Sequence, residues 1–266
     1  MVDYDLKALL EKLRKQRPLV HSVTNYVVMN FTANALLAMG ASPVMAHSVD
    51  EIEEMVSLAS AFVINMGTLS RHWIESMLRG GKKANELGVP VILDPVGSGA
   101  TSFRTNTFRT LAKELKLTVV RGNASEILSI ASDDIKTKGV ETAHDAEQAL
   151  ETAREAAREI DSVVAITGPM DLIADGNKVI RCYNGHPLLR SVTGTGCAAT
   201  TTIAAFAAVT HDPLEATSAG LAFFGLAGEL AGARAHSPGS FMVSLLDAMY
   251  QISPEEFQAK ARLEAT

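Results

Sequence analysis

Four short segments of the chain hold residue types that could act on an anion. In residues 191–199, SVTGTGCAA, Gly194 and Gly196 stand immediately before an Ala/Thr-rich apolar run that reads as a buried helix. Glycines in that place free the first main-chain N–H groups of the helix to converge on a phosphate, with the helix dipole assisting. Small residues with a Thr cap also open closely packed helices, so this segment gains weight from the other three. These are 94–101, DPVGSGAT, then 121–126, RGNASE, and 167–169, TGP. Asp94 and Glu126 are carboxylates, electrostatically wrong beside a phosphate unless a cation intervenes. Magnesium, held through one or two carboxylates, waters and substrate phosphates, would resolve the conflict. Asp94 is equally readable as a turn aspartate before Pro95, and Glu126 as a first-turn acid after Asn123. Arg121 is a natural phosphate clamp that could instead pair with one of these acids.

Two familiar nucleotide motifs fail on context. Gly194 to Ala199 matches G-x-G-x-x-A, but a dinucleotide fingerprint follows a first strand and needs an acid about twenty positions on at the end of another strand. Here that position is Glu215, inside a helical pattern after Pro213. No G-x-x-x-x-G-K-[ST] loop occurs either.

The elements that must position these segments alternate. Leu6, Leu9, Leu10 and Leu13 mark one helix face, ended by Pro18, and 19–23 is an apolar strand. A helix from Val27 to Met39 closes at Gly40, and Ser42 to Ala46 is a short strand. Asp50 is expected to cap a helix through Leu58, followed by a strand at 61–64 and a helix from Ser70 to Leu87 stopped by Gly88. Continuous apolar runs at 89–93, 117–120 and 163–166 read as strands covered on both faces, each ending at one of the polar segments. Residues 170–174 and 178–183, joined by Asp175-Gly176-Asn177, read as a hairpin, the one antiparallel feature expected. Helices follow over 195–209, 214–233 and 240–250, with a short tail from Pro254. The charged residues between Asp133 and Glu159 read as a solvated helix face. The pattern predicts one α/β domain spanning 1–266, with a mostly parallel sheet between helices and ligands beyond the carboxyl ends of the strands.

Composition narrows the function. Of 266 residues 47% are hydrophobic, enough for a large core, and the formal net charge is −6 with no run of lysines or arginines longer than two, which argues against nucleic acid. Two cysteines, Cys182 and Cys197, cannot build a disulfide framework, and the N-terminal residues lack the apolar core of a signal peptide. The longest apolar run is well short of the ~20 residues that cross a bilayer. A cytoplasmic protein with no membrane partner is expected. Cys182 reads as a small buried hydrophobe, the methionines mostly as core, and His21 and His47 as hydrogen-bonded structural residues.

Seven ordered segments together carry a resemblance: PLVHSVTN at 18–25, MGASPVM at 39–45, NMGT at 65–68, the segments at 94–101 and 121–126, TGTGC at 193–197, and PGSF at 238–241. From Pro18 to about Tyr250 the chain resembles the hydroxyethylthiazole kinases, ribokinase-like enzymes of thiamine biosynthesis. The resemblance implies a ribokinase-like three-layer sandwich and transfer of the ATP γ-phosphate to the alcohol of 4-methyl-5-(2-hydroxyethyl)thiazole. It implies that Arg121 and Thr167 contact ATP, that Asp94 and Glu126 hold or orient Mg2+, and that Asn25, Met45 and Gly194 line the thiazole site. Gly194, Thr195 and Gly196 would form the anion hole, and the active unit would be a homotrimer with the thiazole bound where subunits meet. Cys197 stands where the wider superfamily usually has an Asp base; whether the thiol takes the proton or only positions the alcohol is open. Other small-alcohol vitamin kinases and ATP-dependent repair dehydratases of the same fold usually carry that Asp, so Cys197 discriminates against them; a non-catalytic nucleotide sensor is disfavoured by the intact Asp94, Glu126, Arg121 and glycine loop.

Overall fold

In the computed structural model, which describes residues 2–129 and 146–266, the first helix α1 (Leu6–Gln16) buries Leu6, Leu9, Leu10 and Leu13 on one face. Asp5 caps it by accepting from the Ala8 N–H, and the chain leaves it through Arg17 in a left-handed conformation. Strand β1 (Leu19–Val23) leads to α2 (Met29–Met39), which closes on Gly40 at φ +107°. Then follow β2 (Ser42–Val44), α3 (Ile52–Leu58), β3 (Ala61–Asn65), α4 (Arg71–Leu87) and β4 (Val91–Asp94). After α5 (Ser102–Glu114), β5 (Val119–Gly122) and α6 (Ala124–Leu128) come α7 (Ala146–Ile160), β6 (Val163–Ile166), β7 (Asp171–Ala174) and β8 (Val179–Cys182). A 3-10 turn at Pro187–Ser191 precedes α8 (Thr195–Ala207), α9 (Pro213–Arg234), α10 (Pro238–Gln251), α11 (Pro254–Lys260) and β9 (Leu263–Ala265).

Among the described residues the sheet has nine strands in the order β2-β1-β3-β4-β5-β6-β7-β8-β9. Pairing is parallel from β2 to β6, so these strands deliver their carboxyl ends to one edge. Side chains alternate between two cores. Ala61, Val63, Ile92 and Val119 face the layer of α1, α2 and α8 to α11, whereas Phe62, Ile64, Leu93 and Val120 face α3 to α7. Burial on both sides explains why these strands read as unbroken apolar runs. The Ala/Gly content of α8 and α9 has a packing cause: a Cβ at Gly220 would sit 2.7 Å from the Ile203 Cα. This is the expected three-layer α/β sandwich.

Several boundaries and one pairing depart from expectation. Asp50 does not cap α3; Glu51 occupies that place without a side-chain bond, because Ser48 draws Asp50 into its own turn through the Asp50 N–H (3.3 Å). The second helix begins at Met29, two residues late, after Asn25 Oδ1 accepts from the Val27 N–H. The second strand stops at Val44, and the fourth begins at Val91. The hairpin is not the only antiparallel feature: β7 is also antiparallel to β6, and the tail adds β9 antiparallel to β8. Helix α5 is an element that the apolar pattern of the sequence does not predict. Of the charged stretch expected as a solvated face, Asp133 to residue 145 lies outside the described residues. No helix among those described is long and apolar enough to cross a membrane.

Candidate active site

The parallel strands end in polar residues that touch one another. In-register pairing sets Asn65, the last residue of β3, beside Asp94, the last of β4. Asn65 Nδ2 donates to Asp94 Oδ2 (3.0 Å), and Asn25, just past β1, donates from Nδ2 to Asn65 Oδ1 (2.7 Å). The same Asn25 amide reaches Cys197 Sγ at 3.7 Å. From α8, the Thr200 hydroxyl donates to Asp94 Oδ2 at 2.9 Å. On β5, Arg121 places Nη1 4.0 Å from Asp94 Oδ2, and its Nη2 donates to the Thr167 hydroxyl at 2.6 Å. A continuous polar chain therefore runs from Cys197 through Asn25, Asn65 and Asp94 to Arg121 and Thr167. The sequence reading assigned no role to Asn65 or Thr200. The available signals were an amide ending an otherwise apolar strand and a hydroxyl one helical turn beyond Gly196.

Helix α8 opens on this chain without a cap. Gly194 takes the N-cap place at φ +86° with no side chain to satisfy the first N–H groups. The Thr195 hydroxyl does not supply one, since it donates to the carbonyls of Leu189 (2.7 Å) and Val192 (3.1 Å). What residue 195 offers an anion is its main-chain N–H. Gly196 lets Arg121 lie against this helix end, because a Cβ there would be 2.8 Å from Arg121 Nη1. Arg121 Nε is buried without a hydrogen-bond partner. A cleft of about 570 Å³ opens here, lined by Arg121, Thr167, Thr195 and Gly196 together with the apolar Leu189, Leu221 and Phe224. Such a cleft, apolar with a few convergent polar groups, suits a small organic anion.

Electrostatics sharpen the picture. Burial pushes Asp94 up from the ordinary carboxylate range to about 6, against the pull of Arg121 and the Thr200 hydroxyl, and Glu126 pushes the same way as burial. Glu126 Oε1 accepts from the Gly97 N–H (2.8 Å) and Oε2 from the Asn123 N–H (2.9 Å), the second closing a capping box with Asn123. The first-turn reading of Glu126 is therefore realised in the geometry. Each of its oxygens keeps a further lone pair. Two carboxylates that repel each other, backed by main-chain N–H groups, fit Mg2+ held mostly by water and phosphate. Among the described residues there is no cluster of three or more ligating side chains, so no all-protein cage is available. Cys197 is pushed up to about 12, first by burial and then by Asp94, so its thiol keeps its proton at neutral pH.

Met45 does not line the cleft; it is half-buried on the loop after β2 and packs against the core on the α1, α2 and α8 to α11 side of the sheet. Asn25, Gly194 and Cys197 likewise lie outside the cleft lining, around the N-terminus of α8. Of His21 and His47, His21 is buried and its Nε2 meets the Ala46 carbonyl at 2.7 Å, a structural contact as expected. Cys182 is buried in the core and free.

Asp171, which no sequence motif marks, lines the cleft and accepts from the Gly168 N–H at 2.9 Å. Burial raises it from an ordinary 3.8 to about 6, with Gly168 and Arg121 pulling it down. A folded carboxyl that holds its proton more tightly than the unfolded one contributes stability below about pH 4, which is lost as pH rises through 6. Asp171→Asn keeps an acceptor for Gly168 and removes the charge. It is expected to stabilise the protein by about 1–2 kcal/mol at pH 8, less than the full shift implies because the side chain is partly exposed. The advantage should vanish near pH 4. Unfolding free energies of both proteins between pH 4 and 8 check this; a gap independent of pH contradicts it.

The hydroxyethylthiazole kinase family model matches residues 10–255. The chain belongs to the hydroxyethylthiazole kinase family. The hydroxyethylthiazole kinase of Desulfotalea psychrophila is 54% identical over 96% of this chain and 93% of its own. That of Methanococcus maripaludis is 48% identical over 96% of both chains. The solved hydroxyethylthiazole kinase structure from Pyrococcus horikoshii is 46% identical, covers 98% of each chain and superposes with a TM-score of 0.90. A pyridoxal kinase from Staphylococcus aureus, solved with AMP-PCP and pyridoxal, is only 16% identical but has a TM-score of 0.60, and so shares the ribokinase-like fold.

Proposed function

We propose that the protein transfers the γ-phosphoryl group of ATP to the primary alcohol of 4-methyl-5-(2-hydroxyethyl)thiazole, a salvage step of thiamine biosynthesis. The observation that carries this reading is the position of Cys197. It lies in the first turn of an uncapped helix N-terminus faced by Arg121, and it is hydrogen-bonded to Asn25. An alcohol held by the thiol and the amide would stand next to the place where a phosphoryl group meets the main-chain N–H groups of 195–197.

Phosphoryl transfer needs positioning and charge neutralisation more than covalent chemistry. In this reading ATP occupies the cleft, with Arg121 and Thr167 on its phosphates, and the N–H groups opened by Gly194, Thr195 and Gly196 receive charge that develops on the moving group. Asp94 and Glu126 would hold Mg2+, which would supply positive charge to offset that of the phosphates. Asn65 and Thr200 fix the Asp94 carboxylate. Cys197 orients the alcohol, its thiol kept protonated by burial and by the neighbouring Asp94. Asn25, Met45 and Gly194 line the thiazole site.

The same reading includes a cytoplasmic homotrimer with the thiazole bound where subunits meet. Its support is that the thiazole residues lie outside the large cleft and that the neighbouring apolar side chains of Tyr26, Val27 and Leu37 are exposed by 67%, 64% and 52%.

ADP release should accompany phosphorylation of the thiazole alcohol by protein, ATP and magnesium, with pyridoxal and hydroxymethylpyrimidine as competing alcohols. Phosphorylation of the thiazole alone is expected. Folded, ATP-binding protein that phosphorylates none of the three contradicts the reading. Light scattering should give three times the 28.3 kDa chain mass, and a monomer contradicts the trimer.

A further inference from the structure

Helix α5 contributes a side chain to the strand ends that no part of the transfer scheme uses. Thr101 caps this helix by accepting from the Arg104 N–H, and the Arg104 side chain reaches back toward the sheet. Its Nη1 donates to the carbonyls of Met66 (2.5 Å) and Val96 (2.7 Å), and its Nη2 donates to the carbonyl of Gly67 (2.6 Å). Met66 and Gly67 belong to the loop after β3, and Val96 to the loop after β4. A planar guanidinium with its donors in a fixed fork can span two loops in this way. Its stem lies on Gly97, where φ is +73° and a Cβ would be 3.1 Å from Arg104 Cδ. Glycine at 97 therefore answers to Arg104 as well as to the turn.

Each loop it joins carries one half of the site. Gly67 donates its N–H to Asn65 Oδ1, and it passes so close to Asn25 that a Cβ would fall 2.5 Å from the amide carbon. Gly97 donates its N–H to Glu126 Oε1. The first loop thus seats Asn25 and Asn65, on the side of the acceptor alcohol. The second follows Asp94 and seats Glu126, on the side of the metal and phosphates. We propose that Arg104 is a positioning residue for phosphoryl transfer: its guanidinium ties the two loops together and so fixes the distance between the alcohol-holding amides and the carboxylates. This rests on the functional reading above. Arg121 and Thr167, on β5 and after β6, are held independently of it.

The test compares Arg104→Ala and Arg104→Lys with the wild type. It measures kcat and KM for the thiazole alcohol, the Kd of ADP without metal by calorimetry, and amide hydrogen exchange. A displacement of about 1 Å between reacting groups can cost 10²-fold, so Arg104→Ala is expected to lose about 30–100-fold in kcat. ADP affinity should stay within about twofold, because no nucleotide contact is removed. Exchange should accelerate together at Gly67 and Gly97, the two loop amides. Ethylguanidinium at concentrations well below denaturing should restore a large part of kcat to Arg104→Ala. Lysine should recover only part, since one ammonium cannot reproduce the fork. The proposal is overturned if kcat is unchanged, if ADP affinity falls in the same proportion as kcat, or if a folded Arg104→Ala protein gains nothing from ethylguanidinium. A wild type that phosphorylates no thiazole would defeat the functional reading instead. Exchange at the two glycines would then judge the tie by itself, unchanged protection overturning it.

Discussion

Asp94→Asn is expected to lower kcat by about 10³ while leaving the melting temperature no lower than that of the wild type. The carboxylate is 1% exposed, and burial raises it to about 6, so at neutral pH the fold carries an ionised group that it disfavours. Asparagine has the same shape and still accepts from Thr200 and Asn65, which removes the desolvation cost while keeping both hydrogen bonds. Against this, Arg121 loses a carboxylate at 4.0 Å, so the net change in stability is small or favourable. The chemistry has no such compensation. In the proposed mechanism Asp94 supplies one of two negative charges for the cation, and asparagine supplies none. Metal-free ATP should bind the variant at least as well, since one repelling charge has left the site. Steady-state kinetics, thermal melts and metal-free ATP binding measured together decide the matter. A melting temperature lowered by many degrees, with activity falling in step, would make Asp94 a structural residue.

The polar chain at the strand ends shows how far the sequence could be read. Strands β3 and β4, AFVIN and VILD, are visible because both faces of a parallel sheet are covered and every side chain but the last is apolar. Their terminal Asn65 and Asp94 stand out by type, as polar residues ending apolar runs, although both are buried. Their bond to each other depends on strand order and register, and a single sequence prints neither. Helix α5 leaves no such signal, because only Thr107, Phe108 and Leu111 of its thirteen residues are buried, too few to make an apolar stripe. Strand β9 leaves none either, because it exists through pairing with β8, and only Leu263 of its three residues is even half-buried. Asp50 looked like a cap by type, but Ser48 offers its N–H a competing partner two residues away. Site residues fall along the same line. Gly194 and Gly196 announce an anion site locally, whereas Arg104 reads as one more basic residue on a polar helix until the carbonyls of Met66, Gly67 and Val96 are seen around it.

Gly196→Ala should separate activity from stability more cleanly than any other change at the site. Residue 196 lies in the first turn of α8, and its φ is not positive, so the backbone accepts alanine without strain. Within a helix alanine is favoured over glycine by about 0.5–1 kcal/mol. The obstacle is one group: the new Cβ would stand 2.8 Å from Arg121 Nη1 and 3.3 Å from Nη2. A guanidinium at the end of a flexible side chain can swing away at little cost to the fold. Doing so takes it from the Thr167 hydroxyl and from the helix N-terminus, where the moving phosphoryl group is proposed to sit. The expected result is a kcat lower by about 10²–10³, the cost of losing one donor aimed at developing charge, with an equal or higher melting temperature. In an Arg121→Met background the same substitution should cost little more, because the group it displaces is already gone. Gly194→Ala is the contrasting control. Its φ of +86° and a Cβ 2.8 Å from Val28 Cγ1 strain the turn itself, so stability and activity should fall together. If Gly196→Ala also loses stability, or keeps full activity, then Arg121 does not act where its guanidinium now lies.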